Sequence, residues 1–387
     1  MTNTCLRLDE TLLSLLSSKS QEINHAAAFA LGNVAIGDLS HYMPVILEAV
    51  KTGGKKLYLI FVALREIIVN GSSPTSSSYT QLTSYSKDIW NLLFLNVDTD
   101  LEQGTRNGIA ECLGKLVFCQ PSVFLSQLVS YLADKSSNVR MTAVSALPFS
   151  LNMPENSDKF NDLLSPIVIK FLLLISDENL NVRRNALSTF NSIAFLKPNL
   201  IRPHLVDLLP LLYQETKIRK ELLRIVEMGP FKHTVDDGLQ ARKACFDCLL
   251  TLLDTSLSGI EIFVFLDNII VGLSDTAFEI VTLCHLAIQR LIVKAPTAVV
   301  QRLDEMLEPL QKAILIVSKE TAVKQEKERD AELVRSATKT ALLLMRCNGK
   351  SDSSGVKFED FVKNTLVNPQ SSVADVVRQV TAELDRV

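Results

Sequence analysis

The chain has 387 residues, 47% of them hydrophobic but only 6% aromatic, and carries a formal net charge of −3. A single core seldom grows past ~250–300 residues, so this length implies two domains or one elongated repeat array. Scarce aromatics and only 14 glycines count against an all-β fold, and the near-neutral charge counts against a protein that coats nucleic acid through a basic face.

One pattern recurs along the chain: a small polar turn, an aliphatic residue, often an Arg, then Ala and Leu at helical spacing. Its first form is Ser20–Gly32 (SQEINHAAAFALG). A helix over Lys55–Val69 follows, then a serine-rich stretch, residues 71–80, read as a flexible loop. The pattern returns in Glu102–Leu116, Ser136–Leu147 (SSNVRMTAVSAL) and Asp177–Phe190 (DENLNVRRNALSTF). Between these lie amphipathic segments such as Pro121–Leu132 and Leu163–Ser176, with Pro121 where a helix start tolerates proline. A fifth copy is Leu239–Leu250. Helices over Ile260–Leu273, Phe278–Ile292, Ala298–Ile314 and Lys327–Met345 continue the alternation.

With Arg as the register mark, 34 residues separate Arg106 from Arg140 and 43 separate Arg140 from Arg183. Such intervals suit HEAT or armadillo units of two antiparallel helices, which bury their apolar faces only by stacking. The expected fold is therefore an all-α solenoid over residues 1–348. From Gly349 the text turns polar, and residues 349–387 read as a C-terminal cap or tail.

The interval from Arg183 to Arg242 is 59 residues, a surplus of roughly 16. The extra text lies between a helix expected to end near Ile225 and one starting near Leu239. Gly229-Pro230 and Asp236-Asp237-Gly238 are turn signals, and the residues between them are partly β-branched. A small β-hairpin or rigid loop over residues 226–238 is expected, and insertions in repeat proteins often mark the binding face. Just upstream, Lys217–Arg224 is locally basic but is interrupted by Glu221, which fits a solvated helix face rather than a nucleic-acid contact.

Other chemistry finds little support. Cys245 and Cys248 form a CxxC pair, and Cys284 adjoins His285, but all lie in apolar helical text and read as core. No second CxxC, HExxH or GxxxxGK[ST] appears, so no metal, no cofactor and no catalytic residues are expected. Asp9 and Glu10 interrupt the first apolar stretch, and Glu261 and Asp267 break Ile260–Leu273, so neither a secretory leader nor a membrane span is expected. The seven scattered cysteines suit a reducing compartment, cytoplasmic and nuclear.

Asp207–Lys243 (DLLPLLYQETKIRKELLRIVEMGPFKHTVDDGLQARK) closely resembles the C-terminal region of the cullin-associated and neddylation-dissociated (Cand) family, also called the TATA-binding-protein-interacting family. Leu180–Arg184, Lys197–Pro203, Gln301–Leu310, Val323–Glu326, Gly104–Leu116 and Ala26–Leu39 look like the same family. The resemblance implies a non-catalytic HEAT solenoid that wraps unneddylated cullin and exchanges the substrate-receptor modules of cullin–RING ubiquitin ligases. It also implies that the hairpin occupies the adaptor's place on cullin. The implied contact residues are Glu227, Met228, Gly229, Pro230, Phe231, Lys232, His233, Thr234, Val235, Asp236 and Asp237, with Phe231 as apolar anchor and Lys232 and His233 as polar complements. The family's proteins are about three times longer, so the resemblance implies either a fragment or a separately encoded C-terminal half whose partner is a separate N-terminal Cand half. The other readings are binding of the TATA-binding protein, which the family also implies, and a generic HEAT scaffold; direct nucleic-acid and membrane contact are not expected.

Overall fold

The computed structural model describes residues 8–52, 57–73, 75–98, 103–151, 157–228, 231–319, 322–348 and 356–386. The chain divides into two compact units, Met1–His204 and Leu205–Val387. No described helix is long and apolar enough to cross a membrane.

The first unit runs α1 (Leu8–Leu15), α2 (Gln21–Gly37), α3 (Leu39–Thr52), α4 (Leu57–Gly71), α5 (Tyr79–Leu95), α6 (Gln103–Leu116), α7 (Pro121–Tyr131), α8 (Ser137–Ala146), α9 (Ser157–Leu164), α10 (Val168–Leu172), α11 (Leu180–Leu196) and α12 (Pro198–Ile201). Successive second helices of the pairs form one layer: α2 packs on α4, α4 on α6, α6 on α8 and α8 on α11. Two glycines set the spacing in this layer. A Cβ on Gly32 of α2 would lie 2.6 Å from the Ala63 carbonyl oxygen, and one on Gly114 of α6 would lie 2.2 Å from that of Ala146. In the first-helix layer, Trp90 stacks on Phe124 with centroids 4.3 Å apart, and Phe94 on Tyr131 at 4.0 Å. Trp90 and Phe124 are buried, and such rings stabilise by about 1.5–3 kcal/mol each through area removed from water. The serine-rich stretch is a short turn between α4 and α5. Ser72 and Ser78 are buried there, and Ser76 Oγ lies 2.8 Å from Ser78 Oγ.

The second unit contains α13 (Leu205–Glu215), β1 (Leu223–Met228), β2 (Phe231–Asp236), α14 (Leu239–Thr255), α15 (Ile262–Gly272), α16 (Phe278–Lys294), α17 (Pro296–Gln301), α18 (Leu303–Ile314), α19 (Lys324–Asn348), α20 (Val356–Phe361) and α21 (Ala374–Leu384). Here α14 packs on α16 and α16 on α19. Beyond residues 349–355, which lie outside the described set, α20 packs on α18 and α21 on α19, so one shorter pair extends both layers. Val377 and Val380 of α21 are buried while Arg378, Gln379 and Glu383 are exposed. A polar outer face is what a terminal repeat needs.

Several pairs begin their second helix with the same device. An Asp in the turn accepts the backbone N–H two residues on: Asp134 from Ser136 at 2.8 Å, Asp177 from Asn179 at 2.8 Å, and Asp275 from Ala277 at 2.8 Å. Ser136 and Asn179 then cap α8 and α11, accepting from Val139 and Val182 N–H. An Arg on α8 reaches the turn Asp of the next pair. Arg140 donates to both Asp177 oxygens, at 2.8 and 2.9 Å, and to the Asp134 carbonyl at 2.9 Å. Burial works to raise the Asp177 pKa, yet the hydrogen bonds from Arg140 and the Asn179 N–H hold it below the ordinary carboxylate value. The expected all-α HEAT solenoid with one small hairpin is the fold observed.

Candidate functional site: a hairpin built into a repeat turn

The first helix of this pair, α13, ends at Glu215, ten residues before the helix end expected near Ile225. A 3-10 turn, Lys220–Leu222, leads into β1, so Lys217–Arg224 is not a helix face. The helix formers Lys220, Glu221 and Leu222 lose to the cross-strand pairing that Ile225, Val226, Thr234 and Val235 offer. The strands pair antiparallel, with Leu223 opposite Asp236, Arg224 opposite Val235, Ile225 opposite Thr234, Val226 opposite His233, Glu227 opposite Lys232 and Met228 opposite Phe231. Gly229 and Pro230 lie outside the described residues. The hairpin therefore fills the turn between α13 and α14, a position that five residues, Leu273–Ala277, occupy in the following pair.

Among the described side chains, Leu223, Arg224, Ile225, Glu227, Thr234 and Asp237 are exposed. Ile225 is 70% accessible, an apolar side chain with little covering it on the hairpin itself. A lone two-stranded hairpin is marginal in water at best, so its position depends on how its base is held. Asp237 N–H donates to the Leu222 carbonyl at 3.1 Å. Arg224 donates to Asp237 at 2.7 Å, and that bond keeps its guanidinium more firmly protonated. Gly238 is buried, and a Cβ there would stand 2.9 Å from the Leu222 side chain. At the end of α13, buried Glu215 pairs with half-buried Arg219.

The strongest hold is ionic. Asp236, expected as a partner contact, instead turns inward. One of its carboxylate oxygens accepts Gly238 N–H at 2.9 Å and the other accepts Arg242 Nη1 at 2.6 Å. Arg242 lies in the first turn of α14 and is buried. Its Nε and Nη2 donate to the two oxygens of Asp275 at 3.1 and 3.2 Å. Arg242, the register mark of this repeat, and Asp275 were not among the expected contact residues. A spacing signal was present, since Arg140, Arg183 and Arg242 each follow a turn Asp by six residues: Asp134, Asp177 and Asp236.

The remaining candidate groups sit in the core. Cys245 and Cys248 are buried, and Cys245 Sγ donates to the Leu212 carbonyl at 3.0 Å. Desolvation pushes the Cys245 and Cys284 thiols well above their ordinary value. His285 is buried with Nδ1 3.1 Å from Ser336 Oγ, and desolvation lowers its pKa to about 4. Among the described residues, no group of three or more His, Cys, Asp or Glu is arranged to hold a metal ion.

A family model described as TATA-binding protein interacting (TIP20) matches residues 200–365, a stretch that contains the hairpin and α13–α20. A cullin-associated NEDD8-dissociated protein 1 from Dictyostelium discoideum is 41% identical over 359 residues, 93% of this chain and 28% of that protein. The chain is a homologue of the Cand proteins. Cullin-associated NEDD8-dissociated protein 2 of Rattus norvegicus is 40% identical over 363 residues, covering 94% of the chain and 28% of that protein. A protein of Emericella nidulans named as the C-terminal part of cullin-associated NEDD8-dissociated protein 1 is 34% identical over 352 residues, 91% of the chain and 33% of that protein. The chain thus spans about a third or less of these Cand relatives. Among solved structures, yeast importin-beta (Kap95p) aligns with a TM-score of 0.66 at 13% identity, over 98% of the chain and 47% of that structure. Kap121p bound to RanGTP aligns at 0.68 and 13% identity, over 99% and 38%. These two likenesses establish the solenoid fold alone.

Proposed function

We propose that this chain is the C-terminal half of a Cand-type exchange factor, a non-catalytic regulator of cullin–RING ubiquitin ligases. In this reading it binds unneddylated cullin, and the hairpin competes with the substrate-receptor adaptor for one place on it. The observation that carries the reading is the hairpin itself, an enlarged repeat turn with exposed Leu223 and Ile225 on a buried ionic base, within a homologue of proteins named for cullin association. Exposed apolar residues on a rigid mount bind at lower ordering cost than the same residues on a free loop. Mutual exclusion then follows from geometry: hairpin and adaptor each bind cullin, and their overlap weakens both in the ternary complex. Because the chain spans about a third or less of its Cand relatives, a separate N-terminal half is a proposed partner, and the setting is cytoplasmic and nuclear.

The test replaces residues 225–234 by a short Gly/Ser link and keeps Asp236–Gly238, so that the turn and α14 retain their start. Release of a labelled adaptor from unneddylated cullin is measured with the parent chain and the variant, each together with the N-terminal half. The variant is expected to slow release at least tenfold. Unchanged release by a variant with parental circular dichroism sinks the reading. A second reading, contact with the TATA-binding protein, is favoured by the description of the matching family. A pull-down with cullin and TATA-binding protein in parallel separates the two.

A further inference from the structure

We propose that Arg242 is a positioning residue that fixes the angle of the hairpin and ties it to the turn of the next helix pair, through the relay Asp236–Arg242–Asp275. The Arg140 bridge in the first unit shows what an ordinary pair does. Arg140 also bonds both oxygens of the next turn's Asp, and its Nη2 reaches Glu178 there at 3.3 Å, but its Nη1 goes to backbone carbonyls of its own turn, Asp134 and Lys135, at 2.9 and 3.2 Å. At Arg242 the corresponding nitrogen leaves the backbone and takes the Asp236 carboxylate at the end of β2. The hairpin is thereby held by a charge-assisted bond to a side chain that is itself held two-fold from the next turn.

Burial gives this relay its leverage. The Arg242 and Asp275 side chains are 2% and 3% exposed, and that of Asp236 is 17% exposed. Water cannot readily replace a lost partner at such depth, and the remaining charges pay a desolvation penalty when one bond breaks. The exposed Arg224–Asp237 pair on the same hairpin lacks this protection and is worth little. The guanidinium is planar, so fixing Nε and Nη2 on Asp275 also fixes the direction of Nη1. The orientation of the hairpin consequently depends on how α14 and α16 stack, since Arg242 belongs to the first and Asp275 precedes the second. A partner that flexes this pair of helices would move the hairpin. That consequence rests on the binding reading above; the anchor does not.

Amide hydrogen exchange of the whole chain tests the anchor without any partner. Asp236→Asn keeps an oxygen for Gly238 N–H but sets an amide against Arg242. It is expected to speed exchange of the cross-strand hairpin amides at least tenfold, with α14 and α16 unchanged. Asp275→Asn is expected to speed the same hairpin amides several-fold, and the double variant to go no faster than Asp236→Asn alone, as members of one relay should. Asp275 also accepts from Ala277 at the start of α16, so Arg242→Lys is measured beside it. The Lys ammonium reaches one carboxylate but not both, and faster hairpin exchange is expected with α14 still protected. Parental hairpin exchange in Arg242→Lys overturns the proposal however Asp275→Asn folds, and so does full additivity in the double variant. Faster exchange in Asp236→Asn with parental adaptor release counts against the proposed function and leaves the anchor standing.

Discussion

Helix α6 contains two glycines whose replacement by alanine should have opposite signs. A Cβ on Gly108 meets nothing within 4 Å. Gly108→Ala therefore gains helix propensity and lowers unfolded-state entropy, about 0.5–1 kcal/mol of stabilisation with nothing set against it. A Cβ on Gly114 would lie 2.2 Å from the Ala146 carbonyl oxygen and 2.6 Å from Phe149 Cβ. Neither atom can rotate away, because one is backbone and the other is fixed to it, so α6 must back off α8 by roughly 1 Å. Overpacking of this kind costs about 1–3 kcal/mol and occasionally more. Set against the same propensity gain of about 1 kcal/mol, it leaves Gly114→Ala destabilising by up to about 2 kcal/mol. The propensity gain cancels between the two variants, so they should differ by the overpacking cost, about 1–3 kcal/mol, in the same helix. Urea unfolding followed by far-ultraviolet circular dichroism measures both, with equal slopes confirming that one transition is compared. If Gly114→Ala proves as stable as Gly108→Ala, the layer spacing argued for α6 and α8 is wrong.

Two further outcomes follow from burial. His285 has a folded pKa of about 4 against an unfolded value near 6.5, so the unfolded chain binds the extra proton between those limits. The stability it contributes is complete above pH 6.5 and falls by about 3 kcal/mol as the pH drops toward 4. His285→Gln should flatten that part of the stability profile, and an unchanged slope in urea midpoints from pH 6.5 to 4.5 refutes the assignment. Burial also raises the thiols of Cys112, Cys245 and Cys284. Native alkylation at pH 8 should be at least ~100-fold slower at these three than in urea, read by mass spectrometry of peptides. Comparable rates in both conditions would remove the CxxC pair from the core.

The repeat was legible because stacking imposes one chemistry on every copy: a turn, a cap and an apolar stripe recur whenever a helix pair must bury the same face. The limits of the hairpin were less legible. Lys217–Arg224 has strong helix formers and only one β-branched residue, Ile218, so local preference extends α13, whereas the strand begins at Leu223 because Phe231–Asp236 supplies a partner strand, with Asp236 opposite Leu223. The inward turn of Asp236 was not legible for a related reason. In DDG, Asp236 and Asp237 are chemically identical, yet one is bonded to buried Arg242 and the other to exposed Arg224, a difference created by the register of β2 against α14. Taking the turn Asp as the repeat mark, rather than the Arg, resolves the ambiguity. Asp134 to Arg140, Asp177 to Arg183 and Asp236 to Arg242 keep one spacing across ordinary and enlarged turns alike. All the extra chain then falls before Asp236, inside the turn. That is why a solenoid can carry such an insertion without breaking its stack: the ionic bridge to the next pair starts after the hairpin has closed, and the same Arg that continues the stack holds the hairpin to it.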